Sequence, residues 1–97
     1  MKVQNMTSSR GNKVANQFII SRDLIADGLS EQVFQSYDSA IVRVVHYPSG
    51  KSDTYLDAKY WDYSVTTGKY RNQFLGETKK ETERKIASGE YILTNLN

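Results

Sequence analysis

No cysteine occurs in this chain. That excludes a disulfide framework and any thiolate metal site. A single histidine, His46, is present, and one imidazole without a thiol cannot build a zinc centre. It also leaves little for a nucleophile–base pair, which needs a proton acceptor titrating near neutral pH. No stretch approaches the roughly 20 apolar residues of a membrane-spanning helix, and the first residues, MKVQNMTSSRGNK, hold no apolar run of the signal-peptide kind. The expected compartment is therefore the reducing cytoplasm, with no membrane partner. A strong excess of one charge is missing too: the net charge is +2, below that of a dedicated duplex-DNA binder.

What is present fits one small globular domain spanning residues 1–97. Hydrophobic residues make up 38% and charged residues 25%, too apolar for a disordered chain. The charge is segregated. Residues 1–22 carry Lys2, Arg10, Lys13 and Arg22 and no acid, whereas residues 23–62 carry seven acids against three bases. Residues 63–97 are basic again, with six bases and four acids.

Apparent chemical motifs dissolve on their spacing. Gly50-Lys51-Ser52 and Gly68-Lys69 lack the upstream glycine of a phosphate-binding loop. Asp53 and Asp57 share a strand face but stand ~13 Å apart, wide even for a two-carboxylate hydrolase. Asp23, Asp27 and Glu31 do not follow calcium-loop spacing. His46 closes an apolar strand and reads as a strand-end residue at the sheet edge. We expect no catalytic residues, no metal and no cofactor.

The elements read as follows. Val14 to Arg22 is rich in β-branched and aromatic residues and forms a strand. Asp27-Gly28 marks a turn. Gln32 to Tyr37, Ala40 to Tyr47 and Ser52 to Leu56 are further strands, separated by Tyr37-Asp38-Ser39 and by Pro48-Ser49-Gly50-Lys51. Short turns between sequential strands favour an antiparallel meander. A short helix then starts from a Ser64 or Thr66 cap and stops at Leu75-Gly76, with Tyr70 and Phe74 on one face. Thr78-Lys-Lys-Glu81 is a capping box that opens a second helix ending at Ser88, with Glu81 and Lys85 spaced as an i, i+4 pair. Glu90 to Leu96 returns as a short strand or a docked tail. The fold class is α+β: an antiparallel sheet of about four strands followed by two short helices. Phe18, Ile20, Phe34, Val42, Val44 and Trp61 are expected on its packed face.

Binding residues concentrate between Tyr60 and Gln73. Tyr60, Trp61, Tyr63 and Tyr70 lie near Lys69, Arg71, Asn72 and Gln73, a mixture of stacking rings, bases and amides suited to single strands or to a protein surface. With Tyr70 and Phe74 turned inward, Lys69, Arg71, Asn72 and Gln73 form the expected contact surface, and Tyr63 adds an anchoring ring.

The segments Asn12-Lys-Val-Ala-Asn-Gln-Phe-Ile-Ile20, Phe34-Gln-Ser-Tyr-Asp-Ser39 and Tyr60-Trp-Asp-Tyr-Ser64 through Lys69-Tyr-Arg-Asn-Gln-Phe-Leu-Gly76 resemble a family of small uncharacterised proteins of bacteriophages and mobile elements. The resemblance covers nearly the whole chain and brings no catalytic residue with it. It implies an accessory, non-catalytic binding protein in a host cytoplasm. Such a protein occupies a surface of a host protein or protein–nucleic-acid complex, as inhibitors of host defence such as anti-CRISPR proteins do. The competing expectation is an accessory binder of single-stranded nucleic acid.

Overall fold

A computed structural model of the chain describes residues 1–24 and 28–97. Among these residues six strands and two helices follow one another: β1 (Lys2–Thr7), β2 (Lys13–Asp23), β3 (Ser30–Ser36), β4 (Ser39–His46), β5 (Ser52–Asp57), α1 (Val65–Leu75), α2 (Lys79–Ser88) and β6 (Tyr91–Thr94). The strands form one sheet in the order β1-β2-β3-β4-β5-β6. Neighbours are antiparallel up to β5, and β6 joins β5 in parallel. The class is α+β as expected, but the sheet is mixed and has six strands. The two added strands are the edges. β1 carries only Val3 and Met6 as large apolar residues, too few for a periodic signal. The expected turn at Asp27-Gly28 lies partly outside the described residues, since Asp27 is not among them.

One face of the sheet receives the helices. Phe34, Val42 and Leu56 are fully buried on it and stand opposite one another across β3, β4 and β5. Tyr70 from α1 and Tyr91 from β6 complete the cluster together with Met6 and Ile41. Ile41 enters because the β3–β4 register slips between Phe34 and Gln35, and a bulge re-aims the residue it inserts. The expected inward set needs one correction. Phe34, Val42 and Val44 belong to the packed face, but Phe18 pairs with Gln35 and Ile20 with Val33, so both point to the other side. The inward residues of β2 are Gln17 and Ile19. Phe18-Ile19-Ile20 is apolar throughout, so alternation selects no face there, and a one-residue shift inverts every side chain.

The helix boundaries follow their caps. Ser64 accepts the amide of Thr67, and Gly76, at φ 69°, ends α1 in the left-handed conformation. Thr78 and Glu81 form the complete capping box of α2, which Gly89 closes at φ 83°. The helices are thus separate, with Gly76, Glu77 and the cap residue Thr78 between them. Phe74 stacks on Phe34 at 5.9 Å between ring centroids, which seats α1 on β3. The expected Glu81–Lys85 pair does not form. Glu81 is held by the capping box, and Lys85 instead bonds Glu77 at 2.8 Å.

Candidate binding surface

The approach to α1 is built by a buried carboxylate. Asp57, at the end of β5, accepts the amides of Lys59 at 3.1 Å, Tyr60 at 2.9 Å and Leu96 at 2.8 Å. Burial pushes its pKa up, but these donors outweigh that and hold it below the ordinary value. The turn it organises presents Tyr60, Trp61 and Tyr63 in succession before Ser64 caps the helix. Asp57 therefore has its oxygens committed to backbone, and Asp53 accepts the Tyr47 hydroxyl at 2.6 Å. His46 sits at the end of β4, paired with Ser30 and Ser52. Its strand is an inner one, so it lies at a strand end but not at the sheet edge.

Among the proposed contact residues, Arg71 requires correction. It is 1% exposed. Its guanidinium turns back under the approach segment, donating to the Trp61 carbonyl at 2.5 Å and to Asn72 Oδ1 at 3.0 Å. It lies 5.2 Å from the Trp61 ring centroid and 3.5 Å from Asp62 Oδ1. The side chain is long enough to reach back along the helix, and the Trp61 ring, the Trp61 carbonyl and the Asp62 carboxylate offset the cost of taking a planar cation out of water. Trp61 is correspondingly covered and packs against the core periphery. Gln73 is exposed but donates to the Thr7 carbonyl at 2.9 Å, tying α1 to β1. Lys69 is exposed, and Asn72 is half-buried.

Two clefts flank the Asp62–Val65 segment. One, of ≈ 600 Å³, is lined by Lys69, Asn72, Lys79, Asp62 and Val65 above the buried Arg71. The Lys79 ammonium, 2.8 Å away, and then Arg71 hold the Asp62 carboxyl below its ordinary range. The other cleft, of ≈ 360 Å³, is lined by Tyr37, Tyr60 and Tyr63 with Asp38, Ile41 and Thr67. Tyr60 and Tyr63 meet edge to face, 5.4 Å between centroids at 75°. Its floor is closed by a buried hydrogen bond of 2.9 Å between Ser36 and Thr67.

Around these clefts stand three large exposed side chains: Tyr37 at 56%, Tyr63 at 68% and Val65 at 92%. Tyr37 adopts φ 53°, a left-handed conformation uncommon for an aromatic residue and costly by about 1–2 kcal/mol. It is kept there from across the sheet. Its amide donates to the Asn16 carbonyl at 2.7 Å, and Asn16 is itself left-handed at φ 63°, which asparagine tolerates. Sequence reasoning names Tyr63, Lys69 and Asn72 for the contact surface and Tyr60 as a neighbouring ring, but passes over Tyr37. Tyr37 was legible as a turn residue. Nothing local joins the β3–β4 turn to the approach of α1.

A mixed sheet with two helices on one face and a tyrosine-lined cleft beside the first helix defines a small α+β protein with a candidate binding surface. A family model, described as a family of unknown function (DUF8033), matches residues 1–90, and the chain belongs to that family. No curated protein and no solved structure matches the chain.

Proposed function

We propose that this is a non-catalytic binding protein that acts by occupying a surface of another protein, with the tyrosine cleft and the Asp62–Lys69 segment as its contact surface. The observation that carries this reading is the exposure of Tyr37, Tyr63 and Val65 around one helix start, while Tyr37 is held in an unfavourable backbone conformation. Exposed tyrosines grouped on a rigid frame are typical anchors of protein interfaces, and strain maintained at an exposed ring is a mark of a functional position. Lys69 and Asn72 supply the polar rim. The resemblance to phage and mobile-element proteins supports a bacterial host's cytoplasm as the setting and a host-defence complex, of the kind anti-CRISPR proteins inhibit, as the partner class.

The nucleic-acid reading draws on Lys69 and Lys79 lining the second cleft beside Asn72. Against it, Arg71 and Trp61 are engaged with each other, which removes a cation and the largest ring from any stacking platform. The test is capture from a bacterial host lysate by wild-type protein and by the variants Tyr37→Asn and Tyr63→Ala, with and without nuclease. The proposal expects a protein partner retained after nuclease and lost with either variant. Capture that disappears on nuclease treatment and weakens steeply with salt, as phosphate contacts do, gives the second reading its place. Capture unaffected by both variants puts the contact surface elsewhere.

A further inference from the structure

Resting on that reading, we infer that the tyrosine cleft receives an arginine side chain of the partner protein, stacked on Tyr37 and Tyr63 and paired with Asp38. The cleft's lining holds one carboxylate, Asp38, and no lysine or arginine. A phosphate or a carboxylate would find no positive charge in that lining, whereas a cation meets both a full negative charge and the negative faces of Tyr37 and Tyr63. The edge-to-face arrangement of Tyr60 and Tyr63 sets two aromatic walls nearly at right angles, and Tyr37 closes a third side. A flat guanidinium can lie on one ring and still turn its fork of N–H groups to a carboxylate, which the point charge of an ammonium does less well.

The protein already contains this arrangement once. Arg71 lies 5.2 Å from the Trp61 ring centroid with Asp62 at 3.5 Å, beside its bonds to the Trp61 carbonyl and Asn72 Oδ1, so a ring and an aspartate already form part of one guanidinium site in this chain. The rings of the cleft also attract cations: Lys59 Nζ sits 5.2 Å from the Tyr60 centroid. Among the described residues no cation covers Tyr37 or Tyr63, and these are the rings left for a partner. Two features oppose a cation. The exposed Lys59 ammonium on the Tyr60 ring is a like charge beside the cleft, outside its lining and screened by solvent. The first turn of α1 carries no acidic residue, leaving its positive dipole end uncompensated. That end amounts to roughly half a charge, partly taken up by the Ser64 cap, against the full charge of Asp38.

The test uses the intact protein and three small probes: Nα-acetyl-arginine amide, its lysine counterpart and the neutral isostere Nα-acetyl-citrulline amide. Each is titrated while the ring resonances of Tyr37, Tyr60 and Tyr63 are followed by NMR. Arginine is expected to shift all three rings with weak, saturable affinity, lysine to bind several-fold more weakly, and citrulline to leave them unmoved. Asp38→Asn, at an exposed turn position, should weaken the arginine response about tenfold. A citrulline response equal to that of arginine, or tyrosine rings that ignore arginine, overturns the inference, and an equal lysine response overturns the choice of guanidinium. If arginine leaves the rings unmoved while Tyr37→Asn and Tyr63→Ala still abolish partner capture, the arginine assignment falls and the contact surface stands. If arginine binds but both variants keep the partner, the surface reading falls instead.

Discussion

Replacing Glu77 with alanine should destabilise the fold by about 3 kcal/mol, although Glu77 lies between two helices and belongs to neither. Its carboxylate is 4% exposed and accepts from Lys85 Nζ at 2.8 Å, the Tyr91 hydroxyl at 2.7 Å and Thr82 Oγ1 at 2.6 Å. These bonds fasten α2 and β6 to the interhelical link. The variant strands its donors unequally. Thr82 keeps the Thr78 carbonyl at 3.2 Å, and Lys85 can turn toward Glu90, now 3.8 Å away. Tyr91, only 8% exposed, is left with a nearly unpaired hydroxyl. Hydrogen bonds to a charged group contribute about 1.5–3 kcal/mol each, and breaking one partner out of a buried pair costs about 3–5 kcal/mol. Allowing for the two rescued donors gives the lower end of that range, a fall in melting temperature of roughly 12–24 °C for a domain of this size.

Urea unfolding followed by circular dichroism measures that loss, and a double-mutant cycle with Tyr91→Phe measures the coupling. A loss under about 1 kcal/mol, or additive single mutants, would refute the reasoning. The pH dependence has a worked sign. Burial raises the Glu77 pKa, but the Lys85, Thr82 and Tyr91 bonds outweigh it and leave the group below its ordinary value. Its contribution is therefore present above the ordinary glutamate range and lost as pH falls through the depressed value. Lys85, raised to about 12 chiefly by its bond to Glu77, and Tyr91, raised to about 12 by burial and then by Glu77, contribute below their ordinary values. Both contributions are lost as pH rises through about 12. Glu77→Gln should flatten the acid limb and weaken the alkaline one.

Three further outcomes follow. Gln17 is fully buried, and neither side-chain polar atom has a hydrogen-bond partner among the described residues; Gln17→Leu should raise the unfolding free energy by about 1–2 kcal/mol, seen as a higher urea midpoint, and a lower midpoint would sink that account. Thr78→Ala removes the capping-box acceptor and should cost about 1 kcal/mol, read from the same unfolding curves, with neutrality as the contrary result. Arg71→Ala should shift the emission of Trp61, the only tryptophan, toward the red and cost about 2–4 kcal/mol through the bared ring and the orphaned Trp61 carbonyl; unchanged emission would mean that the guanidinium does not shield the indole.

The elements with local signals were legible in the sequence. Ser64, Gly76, the Thr78–Glu81 box and Gly89 fix both helices because caps act within a few residues, and the turns at 37–39 and 48–51 bound β4. The failures share one cause, dependence on distant partners. β1 has no alternating pattern of its own and exists because β2 offers it an edge. β6 reads as either a short strand or a docked tail, and only β5, as a parallel neighbour, decides for the strand. Arg71 looks like a surface base from its place on the helix, and only the return of Trp61 and Asp62 beside it makes burial favourable. The tyrosine cleft was half visible, through Tyr63. Its other half, Tyr37, comes from a hairpin that sequence spacing cannot connect to α1.

The sheet order repeats the chain order from first strand to last, and this bears on how the molecule assembles during synthesis. Each of β2 to β5 finds its neighbour already made, so the meander can grow as the chain emerges, N-terminal part first, by closing short loops. β6 is the exception. A parallel partner needs a long crossover, here the two helices, so the last rung waits until α1 and α2 have docked. The tail then bolts the finished sheet: Leu96 donates to Asp57, and the Asn97 amide both accepts from and donates to the backbone of Ala40, at 2.8 and 3.0 Å. Removing those last contacts should leave a nearly complete sheet whose closing strand opens first. In hydrogen exchange, the amides of β6 would then report on the final step of folding alone.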